Sequence, residues 1–305
     1  MEVHLLDLKG KEKNTLYIIG NGFDLFHKVK TKFIHFYSWL NLKDEKHERF
    51  ATEMENLFLS YSIHGNLLWR DFEKALGDLD INYVQEQYSG EEENKAFDEK
   101  YQKRAAQIMH KTTRMIPSYL REWIAETDIT KVTPKLPLSK DSLYLSFNYT
   151  LLLENVYHIP KERIVHIHHC YTDQEDLVTG HNKSFPTWLE HQNINVEMAL
   201  QNISSEANAL KKPVKEIIKQ NSVFFNSLSK VSNIIVFGHS LSPIDGPYFE
   251  QVFRNVQDDA YWYFVCRNED DKIRYQEKIK NYQSSWYCAG YLKKIENVNY
   301  LVIVC

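Results

Sequence analysis

The chain has 305 residues, of which 43% are hydrophobic and 26% are charged, which is typical of a folded globular protein. Its 37 Lys and Arg residues against 41 Asp and Glu residues give a formal net charge of −4, which argues against a generally basic nucleic-acid-binding or membrane-surface protein. No apolar run approaches the roughly 20 residues of a membrane span, and the first residues are too highly charged for a secretory signal peptide. We therefore predict a cytoplasmic protein.

Short apolar runs predict six strands, and amphipathic or charged stretches predict helices between them. A helix is expected to begin at Asp24, and residues 45–135 and 186–230 are expected to be mostly helical. The predicted strands are 16–19, 142–147, 163–168, 233–237, 261–266 and 300–304.

Strands that alternate with helices favour an α/β fold with a doubly wound, mostly parallel six-stranded sheet. The two long helical stretches exceed the length of simple crossovers, so we interpret them as helical insertions that form a lid or cap. We predict one α/β domain over residues 1–305, because no repeat or flexible linker divides the chain.

Four of the predicted strands end in polar clusters, and ligands of open parallel sheets bind at the carboxyl ends of strands. The clusters are Gly20-Asn21-Gly22-Phe23-Asp24, Asn148-Tyr149-Thr150, His166 with His168 and His169, and Gly238-His239-Ser240.

The first cluster suits a phosphate-binding turn, because glycines let a backbone approach a phosphate at the start of a helix. The alternative is a tight turn in which Asp24 caps the helix. Asn148 has the chemistry to hold a ribose hydroxyl or a water molecule, but Asn148 or Thr150 would serve equally well as a helix cap.

The histidine cluster has three interpretations. His168 suits a general base at neutral pH, but these histidines would also fit a hydrogen-bonded core. A zinc site with Cys170 and His181 is the third interpretation; no carboxylate or second histidine pair at ligand spacing supports it, so no metal is expected.

The segment Gly238-His239-Ser240 is not the G-x-S-x-G turn of a serine hydrolase. A Ser-His-Asp hydrolase is also disfavoured because no histidine follows His239. We interpret these residues as a backbone and hydroxyl cradle for a nucleotide.

The motifs L-Y-I-I-G-N-G-F-D-L, S-F-N-Y-T, V-H-I-H, T-G-H-N and F-G-H-S-L-S-P-I-D, with the segment Trp69-Arg70-Asp71-Phe72-Glu73, occur in this order over residues 16 to about 253. Together they resemble the AbiH family of bacterial abortive-infection proteins directed against phage. That family in turn resembles sirtuin-type, Rossmann-like NAD-binding folds.

The resemblance implies an antiphage effector that binds NAD or a related nucleotide and hydrolyses its N-glycosidic bond. It implies that Asn148 and His168 are catalytic, and that the nucleotide is bound by Gly20, Asn21, Gly22, Asp24, Gly238, His239 and Ser240. His169 departs from the sirtuin pattern, which has glycine at this position, and its side chain would close part of the pocket. A phage-derived trigger and a homo-oligomer are left open.

Two alternatives remain. One is a nuclease or other nucleic-acid-directed effector, suggested by two lysine clusters in the sequence. These are Lys28, Lys30 and Lys32, and Lys211, Lys212, Lys215 and Lys219. The other is a non-catalytic nucleotide-binding sensor.

Overall fold

The computed structural model describes residues 12–59, 67–89, 98–288 and 298–302. Within these residues the strands are β1 (Thr15–Ile19), β2 (Leu143–Ser146), β3 (Ile164–His166), β4 (Asn233–Phe237), β5 (Tyr261–Cys266) and β6 (Val298–Val302). The helices are α1 (Asn21–Phe26), α2 (Phe33–Lys43), α3 (Glu45–Leu57), α4 (Leu67–Arg70), α5 (Phe72–Gly77), α6 (Ile81–Ser89), α7 (Glu99–Thr113), α8 (Ile116–Ala125), α9 (Leu152–Asn155), α10 (Ile194–Ala209), α11 (Val214–Gln220), α12 (Ser222–Asn226), α13 (Gly246–Asn255) and α14 (Glu269–Cys288).

The strands form one sheet in the order β3-β2-β1-β4-β5-β6, and every neighbouring pair is parallel. The predicted α/β fold with helical insertions is therefore confirmed, and the sheet is wholly parallel. The third strand ends at His166 rather than His168, and the sixth begins at Val298 rather than Tyr300. The order 3-2-1-4-5-6 is that of doubly wound dinucleotide-binding sheets.

The central strands β1 and β4 consist mainly of apolar and β-branched residues, which suits strands of a parallel sheet that is buried on both faces. All five residues of β1 and of β4 are buried. Tyr17 of β1 stacks on Tyr144 of β2 with ring centroids 5.0 Å apart. These strands therefore provide a rigid base from which the loops at their carboxyl ends project.

The chain divides into two compact units. The first comprises residues 1–30, 127–174 and 213–305 and contains the sheet, and the second comprises residues 31–126 and 175–212. Whether the helical insertions form a lid depends on how the two units are arranged relative to each other, so the lid stays a prediction.

The second unit is helical, as the sequence indicates, and it has a core rich in aromatic side chains. Trp69 is fully buried and stacks on Tyr37 and Phe72. The stretch before Ile124 contains two helices, α7 and α8, with Pro117 in the first turn of α8. Within the two stretches expected to be mostly helical, residues 126–135 and 186–193 are not helical.

Some predicted features fall outside the part of the chain that the structure describes. They are residues 60–66 and 90–97 of the stretch 45–135, and residues 303–304 of the predicted sixth strand. Among the described residues, no helix is long and apolar enough to cross a membrane.

Candidate functional site

The glycines that follow β1 and β4 let two backbone turns lie directly against each other. A Cβ atom on Gly20 would lie 2.5 Å from the Cα of His239, and one on Gly22 would lie 2.6 Å from the Cα of Gly238. Gly238 has a φ of +68°, and the N–H of Gly22 donates to its carbonyl at 2.8 Å. The structure therefore gives these glycines a packing role, and it leaves the Gly22 N–H occupied within the protein.

Asp24 joins the residues after β1 to those after β2. It is only 1% exposed, and it accepts hydrogen bonds from Nδ2 of Asn148 at 2.9 Å and from Oγ1 of Thr150 at 2.8 Å. Helix α1 already begins at Asn21, so Asp24 lies inside it rather than capping it. Asn148 and Thr150, the two residues predicted as possible helix caps, bind Asp24 instead, and no side chain caps α9.

The buried environment makes Asp24 an unusual carboxyl group. Burial raises its pKa from 3.8 to about 7, although the hydrogen bonds from Thr150 and Asn148 and the charge of His166 act in the opposite direction. A carboxyl group with this pKa exchanges a proton near neutral pH, which is where a general acid or base works best.

His166, at the end of β3, holds the backbone of Asn148. Its Nδ1 lies 3.0 Å from the Asn148 carbonyl and its Nε2 lies 2.8 Å from Oε1 of Glu154. Burial alone would lower the pKa of His166, but the hydrogen bond and charge of Glu154, with smaller contributions from the Asn148 carbonyl and the charge of Asp173, more than offset burial, so the pKa is raised. Since both ring nitrogens face acceptors, a protonated His166 fits this position.

A second buried group contains two histidines and Asp245. Nε2 of His168 lies 3.7 Å from Oδ1 of Asp245, and Nε2 of His239 lies 3.4 Å from Oδ2 of the same carboxylate. The N–H of Leu241 donates to Nδ1 of His239 at 2.9 Å, so a neutral His239 carries its hydrogen on Nε2, facing Asp245. Asp245 thus links the turns after β3 and β4.

Aromatic rings enclose these histidines. Phe147 contacts His239 with ring centroids 4.3 Å apart and His168 with centroids 5.2 Å apart. Tyr248 packs on His168, and Phe249 packs on His239. The rings keep water away from the histidines, which strengthens their electrostatic interaction with Asp245.

His169 adopts the backbone conformation that glycine prefers, with a φ of +61°. Its Nδ1 lies 3.7 Å from Oδ2 of Asp173, and the side chain is partly exposed. The prediction that this side chain closes part of a pocket stays a prediction.

A cavity of about 260 Å³ lies at the carboxyl ends of β1, β4 and β5. Of the predicted site residues it is lined by Asn21, Gly22, Gly238, His239 and Ser240. Gly20, Asp24, Asn148 and His168 do not line it. His239 connects the two regions, because it lines the cavity and also packs on Phe147, which contacts His168.

Sequence reasoning missed the part of the cavity formed by the end of β5 and by α14. The charged residues in this part are Arg267, Asp271, Arg274 and Lys278. Two signals in the sequence point to them: Arg267 directly follows β5, and Arg274 and Lys278 are spaced i, i+4 on one helix face.

The histidines of the suggested zinc site have other partners. His166 is held by Glu154 and Asn148, and Nε2 of His181 donates to the Ala207 carbonyl at 2.9 Å. Among residues 12–59, 67–89, 98–288 and 298–302, no group of three or more His, Cys, Asp or Glu side chains is arranged to hold a metal ion.

The second lysine cluster does not form one solvated face. The side chain of Lys212 is fully buried, with Nζ 2.8 Å from Oε1 of Glu73, whereas Lys211, Lys215 and Lys219 are exposed. The inclusion of Lys212 in a nucleic-acid-binding cluster is therefore wrong, because its charge is already paired inside the protein.

A wholly parallel sheet of order 3-2-1-4-5-6 with a cavity at the carboxyl ends of its central strands places the protein among the doubly wound α/β proteins. A family model described as bacteriophage abortive infection AbiH matches residues 16–266. The chain belongs to the AbiH family, as its motifs predict. No curated protein and no solved structure matches it, and the likeness to sirtuin-type folds stays a prediction.

Proposed function

We propose that this protein is an antiphage abortive-infection effector that binds NAD or a related nucleotide in the cavity after β1, β4 and β5. One observation supports binding above all: the cavity lies where the strand order reverses, between β1 and β4. In open α/β sheets this switch point is the usual position of a ligand. Membership of the AbiH family supports the role in phage defence.

The proposed reaction is hydrolysis of the bond between nicotinamide and ribose. Water forms a bond to the ribose C1′ atom, nicotinamide leaves with the electron pair of the broken bond, and one proton is released. Such a reaction needs a group that positions water or a ribose hydroxyl and a base that takes up the proton.

Asn148 and His168 suit these roles chemically. The Asn148 side chain is fixed by its hydrogen bond to Asp24, and its Oδ1 is an acceptor for water or a hydroxyl. Asp245 lies 3.7 Å from Nε2 of His168, where its carboxylate would stabilise the imidazolium that forms when His168 accepts a proton. Both residues are buried, so a ligand must displace part of their surroundings to reach them.

The test separates binding from turnover. Purified protein is incubated with NAD, NADP and ATP, with and without lysate of phage-infected cells, and the products are separated by chromatography. We expect release of nicotinamide and ADP-ribose by the wild type, loss of release in His168→Ala and Asn148→Ala, and full release in His191→Ala, a matched exposed histidine. NAD binding should survive in both inactive variants.

Two results would contradict parts of the proposal. Full turnover in both variants would remove Asn148 and His168 from the catalytic roles. Tight nucleotide binding by the wild type without turnover, even with infected lysate, would favour the non-catalytic sensor.

The phage-defence role is tested in cells. A strain that expresses the protein should reduce the phage titre, and its culture should collapse at high but not at low phage-to-cell ratio, as abortive infection requires. A strain carrying His168→Ala should be as sensitive as one without the protein.

A further inference from the structure

One face of α14 forms a wall of the cavity. Asp271, Arg274, Tyr275 and Lys278 all line it, and their spacing of three and four residues places them on the same side of the helix. Arg267, just after β5, extends the same wall.

Three hydrogen bonds hold this helix face against the turn after β4. Tyr275 Oη donates to the His239 carbonyl at 2.8 Å, Tyr282 Oη donates to the Ser242 carbonyl at 2.7 Å, and Lys278 Nζ donates to the Ser240 carbonyl. Burial raises the pKa of both tyrosines, so they remain neutral donors at physiological pH. The position of Lys278 at the cavity is therefore fixed by its neighbours on both sides.

The wall carries more positive than negative charge. Arg267 and Arg274 share one carboxylate, that of Asp271, at distances of 2.7 Å each from their nearest nitrogen atoms. Lys278 is bonded to a neutral carbonyl, and within the described residues no carboxylate forms an ion pair with it. Three cations against one carboxylate leave this side of the cavity attractive to an anion.

The glycine turn offers less to an anion than its sequence indicates. The N–H of Gly22 donates to the Gly238 carbonyl, and that of Phe23 donates to the Gly20 carbonyl at 2.9 Å. Donors that are already used within the protein cannot bind a phosphate without losing these bonds. The positive charge that would attract an anion into this cavity therefore comes from α14 and from Arg267 beside it.

We infer that Lys278 and Arg274 bind the phosphate groups of the ligand, so that the cavity selects a nucleotide with two linked phosphates over the corresponding nucleoside. Two cations one helical turn apart suit two neighbouring phosphates, and an arginine can bind phosphate through two parallel hydrogen bonds. The inference concerns the same cavity as the proposed function and rests on it for the nucleoside part of the ligand.

The experiment is calorimetric titration of the full chain with adenosine, ADP, NAD and inorganic pyrophosphate. The variants are Lys278→Gln and Arg274→Gln, and Lys280→Gln is the control because Lys280 lies on the same helix, is exposed and does not line the cavity. Thermal unfolding of each variant verifies that it is folded.

We expect the wild type to bind ADP at least about tenfold more tightly than adenosine, as charge-assisted hydrogen bonds require. Lys278→Gln and Arg274→Gln should each weaken ADP and NAD binding about tenfold or more and leave adenosine binding unchanged. Lys280→Gln should bind every ligand as the wild type does.

The outcomes separate this inference from the proposed function. Equal affinities for ADP and adenosine, or ADP binding that Lys278→Gln and Arg274→Gln leave unchanged, would overturn the inference and leave nucleotide binding intact. Pyrophosphate binding that depends on Lys278, without affinity for NAD or ADP, would support the anion site and overturn the proposed nucleotide. No binding of any of the four probes would overturn both.

Discussion

Asn148 donates a hydrogen bond from its side-chain amide to Oδ1 of Asp24 at 2.9 Å, and so joins the loops that follow two neighbouring strands. Thr150 binds the other oxygen of the same carboxyl group at 2.8 Å. His166 in turn holds the Asn148 carbonyl. Asn148 is thus fixed through both its side chain and its backbone, which is the preorganisation that the catalytic role proposed for it would need.

The raised pKa of Asp24 predicts a pH-dependent contribution to stability. Because its pKa is about 7 in the folded protein, against 3.8 for an ordinary solvated aspartate, the folded state binds the proton more tightly between these values. The wild type should therefore lose stability relative to Asp24→Asn as the pH rises from about 4 to about 7, by up to roughly 1.4 kcal/mol per pH unit. Above that range the difference in unfolding free energy between the two proteins should be constant.

Urea unfolding of both proteins at pH 5, 6, 7 and 8 measures this difference. Asn fits the site because its Oδ1 can accept from Asn148 while its Nδ2 donates to Thr150. Other titrating groups cancel in the comparison, apart from His166, whose charge acts on Asp24. A difference that does not change with pH would show that Asp24 has an ordinary pKa.

A second prediction concerns Glu154 and His166. Replacing Glu154 with Gln removes the charge that contributes most to offsetting burial, so the pKa of His166 should fall below its value in the wild type. Nuclear magnetic resonance titration of the histidine ring signals measures this pKa directly. Glu162→Gln, an exposed change, is the control and should leave the pKa of His166 unchanged. An unchanged value in Glu154→Gln would mean that Glu154 does not determine the charge of His166.

The sheet could be predicted from the sequence because its strands are short apolar runs bounded by turn residues. The runs at β1, β2, β4 and β5 correspond to strands in the structure. The ends of β3 and β6 are predicted less accurately. The pairing of β3 ends at His166, although the alternating pattern continues to His168, and the pairing of β6 begins at Val298, where the polar Asn299 interrupts the apolar run.

The candidate site was predicted only in part, and the reason is the distance along the chain between partners. Polar residues at strand ends could be recognised locally, but the contact of Asp24 with Asn148 spans 124 residues. The place of Asp245 between two histidines also depends on the fold, although it lies only six residues after His239. In the sequence, the cations of α14 resemble those of an ordinary solvated helix face, and only the structure shows that they line a cavity.

A third prediction tests the contact between the two glycine turns. Gly238→Ala should lower the free energy of unfolding by more than about 2 kcal/mol, because alanine resists a φ of +68° and its Cβ would lie 2.3 Å from the backbone nitrogen of Phe23. Gly246→Ala is the comparison variant and should lose less stability: its φ is ordinary, and the nearest atom to its Cβ would be a side-chain atom of Tyr282, at 2.9 Å, rather than backbone. Urea unfolding compares the two variants, and a Gly238→Ala protein as stable as Gly246→Ala would contradict the packing role.

A fourth prediction separates buried from exposed lysines. Lys212→Met should destabilise the protein by about 2 kcal/mol, because it leaves Glu73 without the ammonium group that lies 2.8 Å away. Lys215→Met and Lys219→Met remove the same charge from exposed positions and should change stability by less than about 0.5 kcal/mol. Urea unfolding measures all three, and binding to a labelled RNA is measured in parallel. If Lys212→Met kept full stability and weakened RNA binding more than the two exposed changes, Lys212 would be a nucleic-acid contact rather than part of an internal ion pair.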